Sequence, residues 1–204
     1  MPLYTPSDLS DFVEAEKARI GRHAFVTARL SNRLREMWSA AKFSAVFSKQ
    51  VQPCKVDVAL NDEQREYDFH LITETDRFPF QVTEVLAHGR KRGDEYKVHT
   101  AEQLASQLNE HDGLEPPEAL ARIREEIQSK ISKYRNGAKD LHLLAYMNLR
   151  SSGVVWSDVQ EATADVVSSF ASVWLHSDTA LTCLYGGGRW PETHGWWRIP
   201  PNDR

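Results

Sequence analysis

Cysteine is nearly absent from this 204-residue chain: only Cys54 and Cys183 occur, far apart and without a Cys-x-x-Cys pair. That excludes a disulfide framework and argues against a structural zinc site. Long apolar runs are also missing. No stretch of about 18 apolar residues exists, so no membrane span and no membrane partner are expected. The opening MPLYTPSDLSDFVEAEK has no basic start followed by an apolar stretch, so no secretory signal is expected. Positive charge is not in excess. The formal net charge is -4 and the pI about 6.1, which counts against a dedicated, tight nucleic-acid binder. No GxSxG occurs, and the GGG at 186–188 lacks the lysine and the serine or threonine of a phosphate loop, so it reads as a flexible turn. A reduced, cytoplasmic protein is expected, a single domain over 1–204 with an ordinary 41% hydrophobic and 26% charged composition.

What is present is a change of period. Residues 7–48 carry apolar side chains at helical intervals, capped by Ser7 or Asp8, and form an N-terminal helical region. Projected at about 100° per residue, Arg22, Arg29 and Arg33 fall within about 40° of one another. They read as a solvated face beside a core face of Leu30, Leu34, Trp38 and Ala41. Gln52-Pro53 ends the region. CKVDVAL (54–60), EYDFHLIT (66–73) and FQVTEVLA (80–87) then alternate with period two, separated by the polar turns NDEQ and TDRFP. Three short strands so connected predict an antiparallel meander.

HGRKRGD (88–94) is a basic loop, and helical sequence returns at about 95–110. A second helix starts near Pro117 with a stripe of Leu120, Ile123, Ile127, Ile131 and Tyr134, and Asn136-Gly137 closes it. DLHLLAYMN (140–148) is apolar enough for an interior strand. The C-terminal part, 157–204, is expected as a helix over 157–170, a hairpin from SVWLHS (172–177) and ALTCLYG (180–186), and a tail without regular structure. Trp190, Trp196 and Trp197 are expected to pin that tail to the body rather than to stack on bases.

The order predicts an α/β (α+β) protein: a mixed central sheet built from a helix, a three-strand meander, helices and a fourth strand. With Asp68 near the start of the second strand, it resembles the PD-(D/E)xK nuclease superfamily, the restriction-endonuclease-like fold, over about residues 54–148. ISKYRNGAKDLHLLAYMN also looks like the lysine-and-tyrosine helix that precedes the last core strand in relatives. The resemblance implies an acid-x-Lys tripeptide on the third strand, where alternation turns the acid and the lysine toward one face. Gln81-Val82-Thr83 occupies that register, with Gln81 at the acid position as in the Mrr-like branch and Thr83 where the lysine belongs.

On this reading Asp68 holds Mg²⁺ with Gln81 or Glu84, and Lys97, Lys130 or Lys133 donates the missing ammonium from a helix. Arg90, Lys91 and Arg92 contact phosphates of a nucleic acid. Strict alternation puts Glu84 with Phe80, Val82 and Leu86, so it reaches the site through a bulge or stays a structural carboxylate. His70 is a general base or a hydrogen-bonded structural histidine, and Asp57 and Glu74 extend the acidic pocket or face water. Two functions are thereby expected: a Mg²⁺-dependent phosphodiester hydrolase, or a catalytically inactive nuclease-fold module of a mobile-element or defence system that binds nucleic acid or a protein partner.

Overall fold

The computed structural model describes residues 3–28, 31–58, 67–90, 100, 102–103, 114–149 and 153–199. Within them eight strands form one mixed sheet and lie side by side in chain order. β1 (Leu3–Tyr4), β2 (Lys55–Val58), β3 (Phe69–Ile72) and β4 (Arg77–Leu86) pair antiparallel in turn. β5 (His142–Asn148) runs parallel to β4, and β6 (Ser172–His176) parallel to β5. β7 (Ala180–Tyr185) and β8 (Trp197–Arg198) return antiparallel. The expected succession of meander, helix and parallel fourth strand is present.

Helices α1 (Pro6–Ile20), α2 (Arg22–Thr27) and α3 (Asn32–Gln50) precede β2, while α4 (Pro116–Tyr134) and α5 (Trp156–Thr163) sit in the two parallel crossovers. Both crossovers advance in the same direction along the sheet, so right-handedness puts α4 and α5 on one face. The two cores follow. Leu9, Phe43 and Phe47 of α1 and α3 pack on Phe69, Phe80, Leu144 and Trp174. On the other face Ile123, Ile127 and Val159 pack on Val85, Leu143, Ala145, Val173 and Leu175. Leu143-Leu144-Ala145 serve both faces, which is why that stretch of β5 is continuously apolar. No helix among the described residues is long and apolar enough to cross a membrane.

Local chemistry sets the ends. Thr5 caps α1 by accepting from the Asp8 N–H at 3.2 Å, and the Asp8 carboxylate reaches back to the Thr5 N–H. Gly21, at φ 83, divides the helical region expected over 7–48. A further break between Thr27 and Asn32 rotates the two halves out of the single projection. The expected solvated stripe therefore fails: Arg22 is exposed, Arg29 lies outside the described residues, and Arg33 is half-buried between helix and sheet.

β4 begins three residues earlier than expected, taking Arg77-Phe78-Pro79 out of the predicted turn. Phe78 is buried against Trp190, their ring centroids 4.8 Å apart, and Pro79 lies before the β5 ladder starts at Phe80. That is an edge setting, where a strand tolerates proline. The helix expected over 157–170 stops at Thr163 and is followed by a short 3-10 turn, Val167–Ser169. The tail is not without order: Trp197 and Arg198 pair with β7, and Trp190 is buried in the aromatic core beside Phe47 and Trp174. Cys54 and Cys183 are buried free thiols, each pushed up to about 12 by burial, and so inert.

The GGG segment is a wedged turn. A Cβ on Gly187, at φ +63, would lie 2.1 Å from the Ala171 carbonyl oxygen, whereas one on Gly188, at φ +72, would meet open space. Both substitutions carry the left-handed penalty, and only the first adds a backbone clash. Gly187→Ala is thus expected to lower stability by at least about 2 kcal/mol more than Gly188→Ala in urea denaturation. Equal losses would show that conformation alone is at stake.

Candidate functional site

β3 is shorter than β4, and the mismatch makes the site. β3 pairs only with Arg77–Phe80, so no described strand lies beside residues 81–86 on that side. There the Asp68 carboxylate takes over the ladder: its Oδ2 accepts from the Val82 N–H at 2.7 Å and from the Gln81 side-chain amide. Gln81 turns its carbonyl to Tyr134, whose hydroxyl donates to it at 2.6 Å. The predicted meeting of Asp68 and Gln81 across neighbouring strands is present, and Tyr134 arrives from the end of α4.

The position of the missing lysine has a neighbour on α4. Thr83, on the same side of β4 as Gln81, donates through its hydroxyl to Glu126, and Lys130 pairs with that carboxylate at 3.5 Å. Glu126 and Lys130 stand one helical turn apart, so both face β4. The Lys130 ammonium favours ionised Asp68. Of the lysines put forward, Lys130 is the one placed beside the tripeptide, while Lys97 lies outside the described residues and Lys133 sits over the Tyr134 ring at 5.0 Å.

From the other side α3 contributes Arg33 and Glu36. The Arg33 guanidinium donates to Glu36 at 2.8 Å and to the Asp68 carbonyl at 2.9 Å. Asp68 is consequently held between one acid, Glu36, and two cations, Arg33 and Lys130. Burial, then the charge of Glu36, raise its pKa to about 7, against the opposing pull of the Val82 N–H, Arg33 and Lys130.

Glu84 is not at this junction. The β4–β5 register runs unbroken from Phe80 to Leu86, so no bulge brings it round. It points to the α3 side and accepts from the Asn148 amide at 2.6 Å. His70 stands in a polar cluster: its Nδ1 meets Arg77 at 3.0 Å, and Arg77 also pairs with Asp57. Glu74 is exposed. Arg90 donates to the Asn148 carbonyl at 3.0 Å, and Lys91 and Arg92 lie outside the described residues.

A cleft of about 710 Å³ opens at the C-terminal ends of β4 and β5. Glu36, Thr83, Glu84, Glu126, Lys130 and Arg90 line it, whereas Asp68 and Gln81 do not. Among the described residues no group of three or more His, Cys, Asp or Glu side chains is placed to hold a metal ion. The Glu36–Asp68 couple, oxygen donors that repel one another, suits a hard divalent cation that keeps most of its water. Sequence reading missed Glu36, Glu126 and Arg33. The spacings Arg33/Glu36 and Glu126/Lys130 were visible, but nothing in them says which way a helix turns.

Residues 11–193 match a family model described as "Putative endonuclease, protein of unknown function (DUF1780)". No curated protein matches the chain. Among solved structures, a protein of unknown function from Pseudomonas aeruginosa strain PAO1, titled as of the monooxygenase superfamily, aligns at 17% identity with a TM-score of 0.48. The alignment covers 86% of this chain and 84% of that one. A likeness that distant carries no argument for fold or activity.

The raised Asp68 pKa has a direct consequence. The folded group holds its proton to about pH 7 while the unfolded chain releases it near the ordinary carboxylate value, so stability from this group is lost as pH rises between the two. Asp68→Asn removes that loss. Its melting temperature is expected to match the wild type at pH 4 and exceed it at pH 8, by an amount corresponding to about 2–4 kcal/mol. A difference independent of pH would show that Asp68 is an ordinary carboxylate.

Proposed function

Because the chain belongs to the DUF1780 family, described as "Putative endonuclease, protein of unknown function", we propose that it is a metal-dependent phosphodiester hydrolase of PD-(D/E)xK type. The single observation that carries this is the junction of Asp68, Gln81 and Thr83 with Lys130 of α4. It has the acid, the acid-position amide and the ammonium that the motif needs, the last supplied from a helix.

Mg²⁺ would be held by Asp68 with Glu36, and once bound it would supply a hydroxide-forming water and offset the charge on the phosphate. The chain's own residues do the rest. Val82 N–H and Gln81 fix the Asp68 carboxylate, and Tyr134 fixes Gln81. The Lys130 ammonium, kept near Thr83 by Glu126, orients the attacking water or neutralises the departing oxygen. Arg90 lies on the cleft wall, suited to a phosphate.

Two measurements test this. Mg²⁺ is expected to raise the melting temperature of the wild type at pH 8 and much less at pH 5.5, because the ion competes with the Asp68 proton, and to leave Asp68→Asn unchanged. In cleavage assays Lys130→Met is expected to lower kcat at least about 100-fold, and Thr83→Lys in the same background to restore part of it. A Lys130→Met protein that cleaves like the wild type, or a wild type that hydrolyses neither DNA nor RNA with Mg²⁺ or Mn²⁺, sinks the hydrolase and favours a non-catalytic binding module.

A further inference from the structure

The cleft extends past the carboxylate junction to an aromatic corner. Trp38 of α3 and Tyr146 of β5 line it, half-buried and edge to face with ring centroids 5.0 Å apart. Tyr146 is stacked on the buried His176 at 5.0 Å, and its hydroxyl donates to Asp178 at 2.9 Å, so the ring is held from below and at its tip. Lys17, Arg22 and Arg35 line the same cleft, on the helical side. Aromatic side chains and cations therefore share one recess with Glu36, Thr83 and Lys130.

We propose, building on the hydrolase reading, that the substrate is an unpaired strand, one base of which rests in the Trp38–Tyr146 corner while its phosphates run along the basic side toward Lys130. A paired base has both faces occupied by its stack and cannot use a ring set in a recess, whereas an unstacked base can. Duplex binding relies on a broad basic face. A chain of net charge -4, five of whose cations line a recess, is poorly suited to that. Glu84 fixes the Asn148 amide at the cleft wall, where it can meet the edge of a base.

The test is fluorescence anisotropy with a labelled single-stranded oligodeoxynucleotide, its RNA counterpart and the blunt duplex of the same sequence, without metal so that nothing is cleaved. The wild type is expected to bind one of the single strands at least about 10-fold tighter than the duplex. Trp38→Ala is expected to weaken that binding about 10-fold or more, and Trp38→Phe to keep most of it. Trp38 also packs on the core, so the exposed Arg22 provides a second variant. Arg22→Ala is expected to lower the slope of log affinity against log salt by about one, with an unchanged melting temperature. Duplex binding equal to or tighter than single-strand binding overturns the proposal. So does absence of any binding, and so does a folded Trp38→Ala or Arg22→Ala that behaves as wild type. Cleavage by the wild type separates the two readings: single-strand preference without any cleavage would sink the hydrolase alone.

Discussion

A backbone N–H in a sheet must find an acceptor, and at Val82 the neighbouring strand has already ended. The carboxylate of Asp68 fills that place at 2.7 Å. Much else follows from this one hydrogen bond. It draws an acid into a half-buried position between α3 and α4, where burial and the nearby Glu36 work against its ionisation. It also fixes the plane of the carboxylate, so that Gln81 can approach from the same strand and Tyr134 can in turn hold Gln81. A longer β3 would satisfy Val82 with a carbonyl and leave no reason for an acid there.

The two helical layers reach that point from opposite sides. α4 is fastened to the end of β4 by Arg122, whose Nε donates to the Leu86 carbonyl at 3.0 Å, and its buried Ile123 and Ile127 set the rotation that presents Glu126 and Lys130. α3 is fixed by Phe43 and Phe47 against the aromatic core, which sets where Arg33 and Glu36 stand. The charged groups are therefore placed by apolar packing some turns away. The Lys130–Glu126 pair is half-buried, and its role is to hold an ammonium beside a threonine.

Much of this was legible in the chain. Period-two runs separated by polar turns give the meander, and the mostly apolar run 140–148 gives an interior strand, because sheets impose alternation unless both faces are covered. Asp68 and Gln81 were implied by the resemblance, and alternation supplied the register that lets them meet. The helices were harder. The break at Gly21 and the one before Asn32 defeat any single projection of residues 7–48, so Arg33 looked solvated and Glu36 went unnoticed. Glu84 was the opposite case: alternation put it on the far side, and the unbroken ladder keeps it there with Asn148. Pro79 suggested a turn because its setting beside a single ladder is a tertiary fact. The tryptophan-rich tail is pinned through Trp190, as its composition suggested, but its pairing with β7 was not legible, since that order is set by contacts with residues as distant as Phe47.

That late arrival has a consequence for how the molecule comes together. Strands adjacent in the sheet are adjacent in the chain, so each new strand emerging during synthesis finds its neighbour already made. Accretion from one margin needs no threading and no rearrangement of earlier pairs. Yet the rings of Phe47, Phe78 and Phe80 gain their last partner only when Trp190 is delivered. Until then one oily surface stays open to water, and the nascent protein is most vulnerable to clumping before the segment carrying Trp190 appears.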